Sequence, residues 1–162
     1  ENLRDGRAVS IRAIRPSDRA AWLAYMARTS DESRYRRFLT PKRSFDEQEI
    51  DFHVNVDFVR HVALTAVLGD GAEAVGVGGA RYIVMEPGSA TISFQVDDAH
   101  QRLGIGALLM HHLVILARDA GLTRLTAEML AENTPMLKVF QRCGLAMATR
   151  REGALLHVVL TL

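Results

Sequence analysis

The chain has 162 residues, of which 48% are apolar and 24% are charged, and its formal net charge is +1. This length and composition predict one globular domain over residues 1–162, and a charge so near zero argues against nucleic acid as a partner held by bulk electrostatics. The absence of a long apolar run and of a signal-peptide pattern, together with a single cysteine, favours a cytoplasmic protein without a membrane partner.

The first third of the chain is predicted to hold one strand and three short helices. Apolar and polar side chains alternate over residues 9–14, which is the period of a half-buried strand. Residues 16–27 and 29–39 each begin with capping side chains and are predicted to be helical. Ser44 and Glu47 have the spacing of a capping box, which predicts a third helix that ends near His53.

The same region is rich in basic side chains. One interpretation is a solvated face whose charges pair with nearby acids; the other is a patch that attracts phosphate or an acidic partner. The basic residues are Arg4, Arg7, Arg12, Arg15, Arg19, Arg28, Arg34, Arg36, Arg37, Lys42 and Arg43.

Three strands joined by short turns are predicted next, over residues 61–68, 74–84 and 90–96. Short turns between consecutive strands indicate an antiparallel meander. The second strand contains glycines, and glycine inside a strand indicates a bulge or the close approach of another backbone. These glycines are Gly76, Gly78 and Gly79.

The last third of the chain alternates helices with strands. Residues 107–120 form a helix that is apolar almost all round and is therefore expected to be buried. Gly121 is a natural stop for this helix, and the strand at 122–130 would lie parallel to the strand before the crossover. A last helix and a closing hairpin are predicted at residues 133–144, 145–151 and 154–162.

The segment between the strand at 90–96 and the helix at 107–120 carries the main functional signal. A strand that leads into a helix through glycines collects free backbone N–H groups at the positive end of a helix dipole. Such a point attracts phosphate. Gly104 and Gly106 lack a Cβ atom, so the backbone can approach a pyrophosphate closely and can adopt a positive φ where the turn requires it.

Two other glycine-rich phosphate loops do not fit this spacing. The dinucleotide fingerprint G-x-G-x-x-G needs a third glycine where this chain has Leu109. The nucleotide P-loop needs Lys-Ser or Lys-Thr after its last glycine, and neither follows here. The pattern that remains is Q-x-x-G-x-G, formed by Gln101, Gly104 and Gly106.

This pattern resembles the pyrophosphate loop of the Gcn5-related N-acetyltransferase (GNAT) family, which binds acetyl-CoA. The order of predicted elements is similar to the GNAT fold over essentially the whole chain. A second GNAT-like signature lies in residues 132–137 and 143–145, where the family's asparagine, here Asn133, helps to hold the pantetheine arm or nearby backbone. The resemblance implies an α/β (α+β) fold with a mixed, mostly antiparallel, twisted sheet of six to seven strands flanked by helices.

The resemblance also implies acetyl-CoA as cosubstrate and no metal, and the histidines of the chain show no metal-binding spacing. In its second interpretation, the basic patch would steer the adenosine 3′-phosphate of CoA toward the cleft. Main-chain N–H groups would hold the pyrophosphate, and an N–H near the end of the fourth strand would polarise the thioester. The residues implied in cofactor binding are Val96, Gln101, Arg102, Leu103, Gly104, Ile105, Gly106, Ala107, Asn133 and Met136.

A closer resemblance bears on the acceptor. Residues 3–6, 11–16 and 32–38 look like the GNAT domain of bacterial protein lysine acetyltransferases, which modify acyl-CoA synthetases and often carry a fused regulatory domain. This implies acetyl transfer to a primary amine, with a protein lysine favoured over a small-molecule amine. A catalytically weak CoA-binding regulatory module is the alternative from another class of protein. The sequence leaves the oligomeric state open, a homodimer included.

The expected catalytic base departs from the family pattern. In the lysine acetyltransferases the base is usually a glutamate near the start of the fourth strand, where this chain has Thr91. Glu128 on the fifth strand is the candidate replacement, because its spacing from Asn133 resembles that of the glutamate in GNAT enzymes that act on protein N-termini. The other interpretation pairs Glu128 with Arg81 or Arg124.

The expected catalytic acid is also replaced. Phe140 stands where the family usually has the tyrosine that protonates the departing thiolate. A CoA thiol with a pKa of ~8.5 can leave without strong acid assistance. Cys143 is interpreted as a small packed side chain rather than an acyl-carrying nucleophile, since no histidine accompanies it in sequence.

Overall fold

The computed structural model describes residues 1–42 and 44–162, so Arg43 of the basic region lies outside the described residues. The described chain forms one seven-stranded sheet with five helices packed on its two faces. The strands are β1 (Val9–Ala13), β2 (His61–Leu68), β3 (Val75–Glu86), β4 (Ser89–Val96), β5 (Arg124–Leu130), β6 (Ala146–Glu152) and β7 (Leu155–Thr161). The helices are α1 (Arg19–Arg28), α2 (Asp31–Phe38), α3 (Glu47–Val54), α4 (Ile105–Asp119) and α5 (Thr134–Arg142).

The strand order is β1-β2-β3-β4-β5-β7-β6, and β4 with β5 is the parallel pair of the described sheet. These two strands are parallel because α4 carries the chain back across the sheet between them. All other neighbours pair antiparallel. The predicted meander, closing hairpin and mixed, mostly antiparallel sheet are therefore confirmed.

Two apolar clusters lie on opposite faces of the sheet. Alternation along β4 directs Ile92 and Phe94 into the larger cluster, which packs beneath α4 and α5. The intervening side chains of Thr91, Ser93 and Gln95 face the other side, where α1 and α3 cover the smaller cluster. The polar face of β4 therefore lies on the side of the first three helices.

The glycines of β3 serve a bulge and a close approach, as predicted. The register between β2 and β3 shifts between Ala66 and Val67. A Cβ atom at Gly78 would lie 3.1 Å from the carbonyl oxygen of Gln95 and 3.1 Å from Cγ2 of Ile105. The missing side chain thus allows the first turn of α4 to pack directly on the sheet.

Gly78→Ala is expected to lower the free energy of unfolding by about 1–3 kcal/mol, because an added methyl group in a filled site displaces its neighbours. Gly76→Ala is the matched control on the same strand, since the nearest atom, Thr65 Oγ1, would be 3.9 Å from the new Cβ. Urea unfolding followed by circular dichroism measures both variants. Equal destabilisation of the two would contradict a packing role for Gly78.

Two local predictions are wrong. The helix α4 is not buried all round, since Leu113 is fully buried whereas Ile115 is 42% exposed. The reason is that the sheet covers one side of α4 and leaves its outer side to solvent. The N-cap of α3 is Asp46 rather than Ser44. The Asp46 side chain accepts from Glu49 N at 2.8 Å, and the Glu49 carboxylate accepts from the Asp46 N–H. The capping box therefore forms two residues later than predicted.

Candidate active site

A cleft opens where β4 and β5 separate. Their parallel pairing runs from Ser89 with Arg124 to Thr91 with Thr126, and the two threonine hydroxyls are 3.2 Å apart. Beyond this point β4 continues to Val96 along β3, while β5 pairs with β7. The threonine pair therefore forms the closed end of the cleft. The open end of the cleft leads to residues 101–107, the predicted phosphate loop.

The segment of residues 101–107 connects this cleft to α4. Within the described residues, no carbonyl or side chain accepts a hydrogen bond from the backbone N–H groups of residues 101–107. The first helical hydrogen bond of α4 runs from Leu108 N to Gly104 O, at 3.1 Å. The side chain of Ile105 is buried in the core and that of Leu103 is half-buried, so these residues offer their backbone to a ligand. The result is a run of free donors at the positive end of a helix dipole.

Positive φ angles turn the chain at two points of this segment. Gly104 has a φ of 95° and is the N-cap of α4. Arg102 has a φ of 67°, which is uncommon for a residue with a side chain. Gly106 lies inside α4, and a Cβ atom there would be 3.2 Å from Cγ2 of Val139 in α5. The predicted positive φ is confirmed for Gly104, whereas Gly106 allows α4 and α5 to pack closely.

Two side chains border the phosphate loop. Gln101 Nε2 donates to Val96 O at 3.4 Å, so the glutamine spans the turn from its end back to β4. From the N-terminal segment, Arg4 Nη1 donates to Arg102 O at 3.3 Å. A Cβ atom at Gly104 would lie 3.9 Å from Arg4 Nε. Arg4 thus places one guanidinium at the edge of the predicted pyrophosphate site.

Most other basic side chains of the N-terminal region are paired with acids, which favours the first interpretation of that region. Arg4 at the phosphate loop is one exception, and Arg37 in a cavity is another. The pairs are Arg7 with Asp5, Arg12 with Asp18, Arg19 with Glu47, Arg28 with Asp97, Arg34 with Asp31, Arg36 with Glu32 and Lys42 with Glu49.

Two aspartates attach the start of the loop to the helical layer. Asp97 is only 4% exposed and accepts from His100 Nδ1 at 2.7 Å and from Arg28 Nε at 3.3 Å. Asp98 accepts from Ser30 N at 2.9 Å, at the start of α2. His100 therefore has a structural partner inside the loop, and the phosphate loop is connected to α1 and α2.

The second sequence signature lies beside the first turn of α4. Asn133 is buried and caps α5, with its Oδ1 accepting from Met136 N at 3.4 Å. Met136 is half-buried against the larger apolar cluster. The contact between Gly106 and Val139 keeps α5 against α4. Asn133 and Met136, the two cofactor-binding residues predicted from this signature, therefore lie at the start of α5, the helix that packs against the first turn of α4.

Glu128 lies on the polar face of β5, two residues after the last pair with β4. Its side chain is 49% exposed and its Oε1 is 3.8 Å from Nδ1 of His157, the residue opposite it on β7. Neither predicted arginine partner is correct, because Arg124 binds Glu86 at 2.6 Å and Arg81 donates to His61. The carboxylate therefore has no arginine partner among the residues that the structure describes.

Phe140, which stands where the family usually has a tyrosine, and Cys143 both pack in the larger apolar cluster. Phe140 is 1% exposed and packs edge to face on Phe94, with ring centroids 6.0 Å apart. Cys143 is half-buried against the same cluster, and its Sγ donates to Phe140 O at 3.0 Å. Its interpretation as a packed side chain is consistent with this position.

A cavity of about 270 Å³ lies between the first three helices and the polar face of the sheet. Its wall includes Ser93 of β4 next to the cleft and Arg81 of β3, which pairs with Ser93 across the strands. Tyr25 and His53 reach it from α1 and α3. Sequence reasoning did not assign these residues to a site, although an arginine in the middle of an apolar strand was a signal that could have drawn attention to it.

Burial sets the protonation state of the cavity wall. Burial lowers the pKa of His53 to about 2, and the neighbouring Arg81 guanidinium adds to this effect. Burial and the same guanidinium lower the pKa of His61 to about 4. Both imidazoles are therefore neutral at pH 7.

Acidification should destabilise the fold through His53. Below its ordinary pKa of 6.5, the histidine takes up a proton in the unfolded chain but not in the folded one, so stability falls as pH falls. Between pH 6.5 and pH 5 this amounts to about 2 kcal/mol from His53. Urea unfolding at both pH values measures it. His53→Gln should remove the part that comes from His53 and leave that of His61, whose pKa is also lowered, while His111→Gln, which removes an exposed histidine, should leave the dependence unchanged; equal slopes in all three proteins would contradict the assignment.

The described residues contain no cluster of three or more histidine, cysteine or carboxylate side chains arranged to bind a metal ion. In the same part of the chain, none of the helices combines the length and the apolar character needed to cross a bilayer.

Two parallel strands that separate, with a run of free backbone N–H groups at the start of the next helix, form the arrangement expected of an acyltransferase. The model of the acetyltransferase (GNAT) family matches residues 22–145, and the chain belongs to this family.

Individual relatives agree with this assignment. Acetyltransferase PA5475 of Pseudomonas aeruginosa is 30% identical over 153 residues, covering 94% of this chain and 81% of that protein. Acetyltransferase Pat of Mycolicibacterium smegmatis is 30% identical over 145 residues, covering 88% of this chain but only 42% of that protein. The crystal structure of the GNAT domain of S. lividans PAT is 29% identical, with a TM-score of 0.89 over 100% of this chain and 95% of that one. The GNAT fold inferred from the sequence is confirmed.

Proposed function

We propose that this GNAT acetyltransferase transfers the acetyl group of acetyl-CoA to a primary amine, with a protein lysine as the acceptor. The observation that carries the proposal is the run of free backbone N–H groups at residues 101–107, directly after the open end of the cleft. A diphosphate fits such a run, because it offers several anionic oxygens to donors at a helix N-terminus. Gly104 leaves that surface without a side chain.

The pantetheine arm and thioester would then extend from the loop into the cleft between β4 and β5. Arg4 would face the phosphates, while Asn133 and Met136 would border the arm. An N–H near Val96 would donate to the thioester oxygen as negative charge develops on it. In this arrangement the acetyl group reaches the part of the cleft between Ser93 and Glu128, which are the first residues on the polar face beyond the last β4–β5 pair.

The chemistry requires a neutral amine. A lysine with a pKa of 10.4 is neutral in about one molecule in 2,500 at pH 7, a handicap of about 4.6 kcal/mol. Glu128 would accept the proton of the ammonium, directly or through one water molecule. The amine nitrogen then attacks the thioester carbon and the C–S bond breaks. The nitrogen loses its second proton as the amide forms, and the departing thiolate takes up a proton, directly or through water, to give free CoA thiol. Positioning of the amine at the carbonyl contributes several further kcal/mol.

The choice of a protein lysine rests on residues 3–6, 11–16 and 32–38, whose pattern resembles the protein lysine acetyltransferases. A small-molecule amine is the second candidate. It is favoured by the cavity of about 270 Å³ on the polar face of the sheet, since a concave site of this kind suits a small molecule.

Two measurements test the proposal. Calorimetric titration with acetyl-CoA should give a saturable signal, and its absence would eliminate every CoA-based function. Release of free CoA thiol should then accompany acetylation of a lysine peptide, a bacterial acyl-CoA synthetase or a simple amine. Binding of acetyl-CoA without transfer to any of these acceptors would identify a CoA-binding regulatory module instead.

A further inference from the structure

The cavity beneath α1 is lined by cations that lack acidic partners. Arg37 of α2 and Arg81 of β3 both contribute to its wall. Arg81 is 8% exposed, and its two recorded contacts are His61 Nε2 at 2.9 Å and the His53 carbonyl oxygen at 3.2 Å. Arg37 has no acidic partner among the described residues, and its guanidinium stacks on the Phe38 ring at 4.7 Å. Neither guanidinium is neutralised within the described chain.

Both guanidiniums carry their charge at neutral pH. Burial lowers the pKa of Arg81 to about 9, with Arg37 as the second cause, and burial lowers that of Arg37 to about 10. These pKa values remain well above 7. Among the described residues of the cavity wall, the one carboxylate is Asp18, which is already held by Arg12 through hydrogen bonds of 2.8 and 2.7 Å. Arg81 is a buried positive charge and Arg37 a half-buried one, and a charge held away from water without a counter-ion is costly, so an anion would gain by entering.

Other wall atoms are also left without partners. Tyr25 Oη, His53 Nδ1 and Gln95 Oε1 are buried, and no described residue forms a hydrogen bond with them. All three residues line the cavity. Trp22 and Met26 of α1 supply an apolar wall. Charged donors, unused polar atoms and apolar surface in one cavity are typical of a small-molecule site.

The position of the cavity connects it with acetyl transfer. Ser93 and Gln95 belong both to the cavity wall and to the polar face of β4, which forms one side of the proposed thioester cleft. We propose that this cavity is the acceptor subsite and that it binds an oxyanion group, carboxylate or phosphate, carried by a small amine acceptor. This inference rests on the proposed acetyl transfer and takes up its second candidate acceptor, a small-molecule amine, which it narrows to an amine that also bears an anion. The planar forks of Arg37 and Arg81 suit the oxygens of either group.

Anion binding can be tested without the acetyl-transfer reaction. The melting temperature of the chain is measured in succinate, in inorganic phosphate and in chloride at equal ionic strength and pH 7. We expect a rise of several degrees with the oxyanion whose group matches the acceptor. Arg37→Gln should abolish that rise, and Arg19→Gln, which removes an equal charge from a surface pair with Glu47, should retain it.

The same variants separate binding from a structural role. Without anion, Arg37→Gln should melt at or above the temperature of the unsubstituted protein, because it removes an unneutralised charge; a structural arginine would give a lower value. Absence of any oxyanion effect, or an equal effect in Arg37→Gln, would overturn the site. That result differs from failure of acetyl transfer, which would appear as no acetyl-CoA binding and no thiol release with any amine.

Matched acceptors then identify the group. L-lysine is compared with cadaverine, which lacks only the carboxylate, and O-phosphoethanolamine with ethanolamine. One anionic member should be preferred by about tenfold or more in kcat/KM, and Arg37→Gln should reduce the preference to about twofold, since a charged contact is lost. Equal use of both members of each pair by the unsubstituted enzyme would overturn the acceptor assignment.

Discussion

Glu128→Gln is expected to reduce kcat by about 100-fold at pH 7 while leaving the Kd for acetyl-CoA unchanged, because a positioned base contributes roughly 10²–10⁴ in rate. The carboxylate lies just beyond the last β4–β5 pair and carries no arginine partner, so it is available to accept a proton. Thr91, at the position where the family usually has its base, is hydrogen-bonded to Thr126 and cannot take this role at neutral pH. Thiol release under saturating acetyl-CoA, with calorimetric Kd values, measures both quantities.

The matched control is Glu152→Gln. Glu152 also contacts His157, through Nε2 at 3.1 Å, but it lies on β6, beyond β7 from the cleft. Its substitution should leave kcat within about twofold, in contrast to the roughly 100-fold loss in Glu128→Gln. Equal losses in both variants would show that His157, and not the base, had been disturbed. A Glu128→Gln enzyme that keeps its full kcat would exclude Glu128 from the mechanism.

The backbone of the site could be predicted from the sequence because it depends on local signals. The turn between β4 and α4 is marked by Gly104, whose φ of 95° few other residues tolerate, and α5 by the cap Asn133. The parallel pairing of β4 with β5 follows from the crossover through α4, once the strands themselves are recognised. These features involve residues close in sequence or one obligatory connection.

Side-chain partners were harder to predict because they depend on register. Glu128 meets His157 through the pairing of β5 with β7, and the closing hairpin with β6 sets where β7 begins. A sequence pattern gives the face on which Glu128 lies but not the residue opposite it. The cavity is still less local, since Tyr25, His53 and Arg81 come from two helices and a strand. Its volume depends on how three short helices rest on the sheet.

Replacement of Gly104, the N-cap of α4, should weaken cofactor binding and leave the other parts of the site unchanged. Gly104→Val is expected to weaken acetyl-CoA binding by about 10- to 100-fold, because a β-branched residue at a φ of 95° costs roughly 1–3 kcal/mol and the backbone must turn away to relieve it. Such a change of the backbone would point the free N–H groups of residues 101–107 in different directions, so that they could no longer bind one pyrophosphate together. The Kd measured by calorimetry should rise, and KM for acetyl-CoA should rise with it.

Gly121→Val is the control for backbone strain alone. Gly121 follows the other end of α4 with a φ of 78°, and no atom lies within 4 Å of a Cβ built there. Both variants should lose similar stability in urea unfolding, but only Gly104→Val should lose affinity for acetyl-CoA. If the two bind acetyl-CoA equally well, the pyrophosphate is not held by the amides around Gly104. A loss of affinity in both would instead point to α4 as a whole, since strain at either end would then disturb the cofactor site through the helix.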